Sequence, residues 1–379
     1  MSGKRPVQLT MPGRRIAAAA LLVLLALLLL LSTACQTPGA TPGAPPATAP
    51  AGTAETELTR YSRQFLGVFD TVTTFIGLAG SEEDFAKIAA AVEQKLTHCH
   101  QLFTTYESYE GITNLRTVNE RAGEGPVTVD PLILDLLEQS LAANALSGGR
   151  VNLALGPVLE LWHDYREAGL DDPENAQLPP MDQLEAANRH TDISLIEIDR
   201  RRSTVRLPDP EMCLDVGSGA KGLACELAAG EALRLGMEHF LLSVGGNVRT
   251  AGFRDGREKV WRIGIREPQS QDPNAYRLVV GISDMAVVTS GAYERFYTVA
   301  GRRYHHIIDP DTLMPSQRFD SVTIIAPDSG LADSLTTALF NMDQEAGLRL
   351  IENLENVGAI WMAGEKVWYS SRIDAWLVD

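Results

Sequence analysis

Asp333 and Thr337 stand four residues apart at the start of a predicted helix over 330–341, so both side chains leave one face. A carboxylate and a hydroxyl, completed by a backbone carbonyl, form the hard oxygen set that suits Mg²⁺. The same pair also reads as a helix cap followed by an ordinary hydroxyl, because such residues gather at helix starts. A second feature is Gly217-Ser218-Gly219-Ala220-Lys221-Gly222, a literal GxGxxG after a predicted strand at 213–216 and at the opening of a helix over 220–235. Alone, it indicates a Rossmann dinucleotide site. Its context disagrees: the next predicted strand, 240–244, ends in Gly245-Gly246 where an acid would hold the ribose. Repeated βαβ units are also missing. What remains is local physics, since glycines admit a close ligand and a helix N-terminus offers N–H groups to phosphate. A tight glycine packing turn leaves the same signature.

These residues need elements to position them. Residues 64–78 read as a β segment, and Ser81 with Asp84 as a capping box for a helix. That helix buries Phe85, Ile88, Val92, Leu96, Cys99 and Leu102 at spacings of three and four. Asp130-Pro131 opens a second helix, ended by Gly148-Gly149. The stretch 164–191 reads as a surface loop with a short helix, followed by strands at 193–198 and 204–207. Residues 259–300 read as an antiparallel meander. A strand at 322–326, helices at 330–341 and 344–355, and strands near 358–363 and 367–370 complete the chain. Helices interspersed among locally paired strands give an α+β class, a single compact two-lobed body with mixed or antiparallel sheets.

Composition narrows the partners. The 379 residues carry 33 Lys+Arg against 49 Asp+Glu, a formal net charge of −16, which argues against a nucleic-acid partner. Four of the positives, Lys4, Arg5, Arg14 and Arg15, precede an apolar run from Ile16 to Leu31 that leads to Leu31-Ser32-Thr33-Ala34-Cys35. This is the pattern of a secretory signal. A Cys directly after Ala34 resembles a bacterial lipobox, in which Cys35 is lipidated and residues 1–35 form the signal; an uncleaved membrane anchor is the other reading. Residues 36–55, nearly all Pro, Ala, Thr and Gly, read as an extended tether ahead of a folded body at 56–379. Cys99, Cys213 and Cys225 are odd in number and lack paired spacing, so they read as buried small hydrophobes.

Further segments occur in a fixed order: Thr105-Tyr106 with Tyr109–Asn114, Val151-Asn152 to Gly156-Pro157 with Leu161-Trp162, and Leu214-Asp215-Val216-Gly217 with Ala220-Lys221-Gly222. Then come Ser243–Asn247, Trp261–Ile265, Val288–Gly291 with Tyr293, His306–Pro310 and Ala332–Ala338. From about Phe65 onward the series resembles the FAD:protein FMN transferases, the ApbE family.

The resemblance implies a Mg²⁺-dependent enzyme that splits FAD at its diphosphate, attaches FMN to a threonine of a target protein and releases AMP. It implies a lipoprotein on the outer face of the bacterial cytoplasmic membrane. The implied acceptors are Rnf- or Nqr-type membrane subunits and exported FMN-binding domains. Flavin contacts would come from Tyr106, Val151, Asn152, Asp215, Lys221 and Ile308, with Phe69 where many members carry Met. Ser218 marks the loop oxygen for the metal, beside Asp333 and Thr337, and Thr336 stands where some members place a further acid. His306 is the candidate to position or deprotonate the acceptor threonine. Thr312-Leu313-Met314-Pro315 replaces the family's Thr-Gly-x-Pro, so a positive φ there falls on Leu. An FAD pyrophosphatase and a non-catalytic flavin-binding lipoprotein are the alternatives.

Overall fold

A computed structural model describes residues 57–272 and 274–378. Cys35 and the segments expected to be a signal (1–35) and a tether (36–55) lie outside the described residues. The chain opens with β1 (Thr59–Val68) and β2 (Thr71–Ala79), an antiparallel hairpin rather than the single segment expected at 64–78. The turn residues Phe69 and Asp70 both have φ of 53°. Such two-residue turns usually carry Asn-Gly, so an apolar-flanked Phe-Asp gives no sequence signal.

Ser81 then caps α1 (Glu82–Phe103), its Oγ accepting from the Asp84 N–H at 3.1 Å. After α2 (Leu115–Glu120) and β3 (Val127–Thr128), α3 (Pro131–Ser147) ends on Gly148 in the left-handed region, as expected. α4 (Gly156–Asp171) extends into the first eight residues, 164–171, of the stretch expected to be a loop with a short helix. It buries Val158, Trp162 and Gly169 on one face, and a Cβ on Gly169 would stand 2.6 Å from the Tyr297 ring. α5 (Met181–Ala187) follows. Residues 193–198 split into a 3-10 turn and the short β4 (Glu197–Asp199), which pairs with β5 (Thr204–Arg206).

The segment 213–216 forms no strand. Asn119 takes the place of a partner strand: its Oδ1 accepts from the Leu214 N–H at 2.8 Å and its Nδ2 donates to the Leu214 carbonyl at 3.0 Å. α6 (Ala220–Arg234), β6 (Phe240–Val244) and β7 (Asn247–Ala251) come next. The expected meander is shared among three sheets. β8 (Trp261–Arg266) pairs with β9 (Tyr276–Ile282), β10 (Ala286–Gly291) enters the main sheet, and β11 (Phe296–Val299) pairs with β12 (Arg302–His305). The short β13 (Ile308–Asp309) and β14 (Met314–Pro315) pair with each other. β15 (Ser321–Ala326), α7 (Ser329–Phe340), α8 (Gln344–Glu352), β16 (Gly358–Ala363) and β17 (Lys366–Tyr369) finish the body.

Eight antiparallel strands in the order β1-β2-β6-β7-β10-β15-β16-β17 form the main sheet. Side-chain alternation sends Val288, Ile324 and Ala326 to one apolar cluster with α7, and Val287 and Ile325 to another with β8 and β9. With both faces covered, all six residues of β15 are buried. Cys99 and Cys225 lie in the largest cluster, where burial pushes each thiol up to about 12. Cys213 departs from the expectation: it is half-buried, with Sγ 3.1 Å from Glu160 Oε1.

Candidate functional site

The position of Asp333 follows from a helix contact that only glycine allows. A Cβ on Gly222 of α6 would stand 2.5 Å from Asp333 Cβ and 2.5 Å from the Ser329 carbonyl oxygen. Lacking one, Gly222 brings its N–H to Asp333 Oδ2 at 2.8 Å. Asp333 is only 5% exposed. Burial raises its carboxyl pKa, opposed by the Lys221 charge and the Gly222 N–H. The buried Asn247 side chain adjoins the same carboxylate and also opposes the rise. Thr337 lies half-buried one turn further along α7. The loop with Ser218 rests against the same helix, where a Cβ on Gly219 would meet Ser334 Oγ at 3.1 Å.

Thr336 does not join this set. Its hydroxyl donates to the Asp333 carbonyl at 2.7 Å and accepts from Ser290 Oγ at 2.7 Å, tying α7 to β10. Among the described residues no cluster of three or more His, Cys, Asp or Glu could hold a metal. A cation at Asp333 would therefore depend on hydroxyl and carbonyl oxygens, and a buried carboxylate whose pKa stays raised despite the Lys221 charge fits such a cation.

The second half of the site lies around Asp215. Its Oδ1 accepts from the Gly217 N–H at 2.8 Å, and burial raises its pKa while Arg295 opposes the rise. Exposed Tyr106 lies within reach of the Asp215, Arg166 and Arg295 charges. Its ring stands 5.5 Å from that of His163, whose Nδ1 accepts from Arg166 Nη2 at 2.9 Å.

The hairpin turn is tied to this half. The Phe69 N–H donates to His100 Nδ1 at 3.3 Å, and its ring meets the His100 ring edge-on at 5.3 Å. His100 Nε2 lies 3.3 Å from the Tyr109 hydroxyl, which donates to Glu107 Oε2 at 2.6 Å on the loop that carries Tyr106. Val151 and Ile308 are buried, so they support the walls and expose almost no surface to a ring. The Asn152 side chain is also committed, accepting from the Ala154 N–H and donating to the Thr191 carbonyl, both at 2.9 Å.

The two adjacent histidines separate by their bonds. His305 is buried, with Nε2 on the Ser316 carbonyl and Nδ1 accepting from the Ile307 N–H at 3.1 Å. Neither nitrogen is free. His306 places Nδ1 3.2 Å from the Arg295 carbonyl, so Nδ1 carries the proton and Nε2 keeps its lone pair. Lost solvation, then the His305 and Arg295 neighbours, hold its pKa well below the ordinary imidazole value, and Lys221 adds to the effect. The residue itself is nevertheless exposed at the surface.

The sequence matches the ApbE family over residues 66–361. The chain belongs to the ApbE family. It is 34% identical over 312 residues to a protein of Treponema pallidum named FAD:protein FMN transferase, covering 79% of this chain and 83% of that one. Its fold is similar to the ApbE protein of Thermotoga maritima, with a TM-score of 0.73 at 26% identity over 85% of this chain and all of the other. The flavin transferase ApbE of Vibrio cholerae shares the fold with a TM-score of 0.69 at 23% identity, over 84% of this chain and all of the other.

Against the ApbE pattern, Leu313 does take a positive φ, 58°. Residues that the sequence reading left without a role are Asn247 beside Asp333, and His163 and Arg295 beside Tyr106. Asn247 closes the Ser243–Asn247 segment, so its position was visible there. Arg295 follows Tyr293 by two residues, with no signal beyond that proximity.

Proposed function

We propose that the chain transfers FMN from FAD to threonine hydroxyls of exported flavoproteins, using Mg²⁺ and a lipid anchor at Cys35. Flavin transfer from FAD to protein follows from family membership and from relatives named FAD:protein FMN transferase at 27–34% identity. The observation that carries the chemistry is the buried Asp333 carboxylate, raised in pKa and set beside Lys221 and Thr337.

Asp333, Thr337 and a backbone oxygen at Ser218 would hold Mg²⁺, which when bound neutralises diphosphate charge and eases departure of AMP. Lys221 meets the phosphate charge from the start of α6. Phe69 and Tyr106 orient the flavin, and Asp215 accepts from a hydroxyl or amino group of the nucleotide. His306 Nε2 accepts the proton of the acceptor hydroxyl as that oxygen bonds to the FMN phosphorus. The P–O bond to the AMP phosphate breaks, and its electron pair leaves with AMP. Acceptors of the Rnf or Nqr subunit class, or FMN-binding domains, supply the threonine on the outer face of the cytoplasmic membrane.

The test incubates the full-length chain in detergent with FAD, Mg²⁺ and a threonine-bearing acceptor domain, then takes intact masses. One FMN added to the acceptor, lost on chelation, is the expected result. AMP and free FMN with an unmodified acceptor indicate hydrolysis instead, and intact FAD throughout indicates a binding protein. For the anchor, Cys35→Ser is expected to abolish lipid labelling of the chain in cells; unchanged labelling would overturn that assignment.

A further inference from the structure

Arg295 occupies the point where the β11–β12 hairpin reaches the site. Phe296 pairs with His305, and one step outward the Arg295 carbonyl accepts from the His306 N–H at 3.1 Å and lies 3.2 Å from His306 Nδ1. Its backbone is therefore fixed against the candidate base. Its guanidinium makes no hydrogen bond or ion pair among the described residues. Neighbours on the same turn are occupied: Glu294 lies 3.3 Å from Arg266 Nη1, and the Arg266 guanidinium sits 4.4 Å over the Tyr293 ring. The free charge nevertheless acts on Asp215, Tyr106 and His306, which come from three separate segments.

A guanidinium has five N–H donors in a planar fork that matches phosphate oxygens. Asp215 lies within range of this charge, yet no hydrogen bond or ion pair joins the two among the described residues. The anionic part of FAD is its diphosphate. Lys221 offers that group a point charge from α6, and both cations act on His306.

We propose that Arg295 binds the FAD diphosphate as a second cation beside Lys221, its fork holding non-bridging oxygens of the phosphates. This rests on the flavin-transfer reading. As the acceptor oxygen bonds to the FMN phosphorus and its proton passes to His306, charge gathers on the phosphate leaving with AMP. A fork already in contact stabilises that charge without reorganising.

The experiment measures ADP affinity by calorimetry without Mg²⁺, on the full-length chain in detergent and on Arg295→Gln, Arg295→Lys and Arg303→Gln. Arg303 lies on the same hairpin with its guanidinium 4.7 Å over the Phe296 ring. Arg295→Gln is expected to weaken ADP at least about tenfold and to lower kcat/KM for FAD about a hundredfold. Arg295→Lys recovers part of the affinity, and Arg303→Gln stays within about twofold of wild type. Unchanged ADP affinity in Arg295→Gln, or an equal loss in Arg303→Gln, overturns the proposal. Failure of the flavin reading shows separately, as wild-type protein that binds ADP through Arg295 but releases no AMP from FAD.

Discussion

The helix-built half of the site and its turn-built rim meet close geometry in opposite ways. Where α6 crosses α7, Gly222 leaves no room for a Cβ, and the crossing itself orients Asp333. On the rim, Phe69, Asp70 and Leu313 hold positive φ without being glycine. Left-handed backbone costs an L residue roughly 1–2 kcal/mol. Leu313 offsets that cost by burial among Leu155, Trp162 and Ile308, with its carbonyl accepting the Trp162 indole N–H at 2.8 Å. Burying a leucine contributes about 1.5–3 kcal/mol, so packing outweighs strain. A steric glycine has no substitute, whereas a conformational one can be replaced by a side chain that finds a core.

The comparison can be broken most severely at Asp333. Asp333→Ala is expected to lower AMP release from FAD at least about a thousandfold, because a metal site contributes several kcal/mol to such a transition state. Steady-state AMP assays decide it, and unimpaired release would remove the metal assignment. Gly222→Ala forces apart α6 and α7 at backbone distances, so urea unfolding should show a loss of about 3 kcal/mol. A smaller loss than at Leu313 would invert the ranking of the two halves. Leu313→Gly relieves the strain yet empties a buried position, and a net loss of about 1–2 kcal/mol is expected. A gain in stability would mean that strain dominates there. Asp70→Gly, at an exposed turn position, should gain about 0.5 kcal/mol, read from the same unfolding curves.

The same contrast explains what was readable before the structure. Helices with caps and one apolar face, such as α1 and α3, follow from local rules, and α7 carries Asp333 and Thr337 on one face as expected. Thr336 is one residue away, and the helical turn of about 100° per residue aims its hydroxyl at Ser290 instead. The β1–β2 turn was hidden because its positive φ values fall on Phe and Asp. The false strand at 213–216 has an extended, apolar-alternating pattern, but its partner is the Asn119 side chain, from a distant helix. Arg295 was unreadable because its importance lies in lacking a partner, a property of the assembled site.

The central claim is that Asp333 is a buried carboxylate built to receive a cation, and thermal unfolding across pH, with and without Mg²⁺, tests it in wild type and Asp333→Asn. A carboxyl pKa raised by folding stabilises the native state below its unfolded value, and that share is lost as pH rises through the folded one. Metal-free wild type should therefore lose stability as pH rises through this window, and Asp333→Asn should lose less, Asp215 leaving a shared residual slope. Mg²⁺ should restore wild type at the upper end of the window and leave Asp333→Asn unmoved. Equal stabilisation of both proteins by Mg²⁺, or parallel pH curves without it, would contradict the claim.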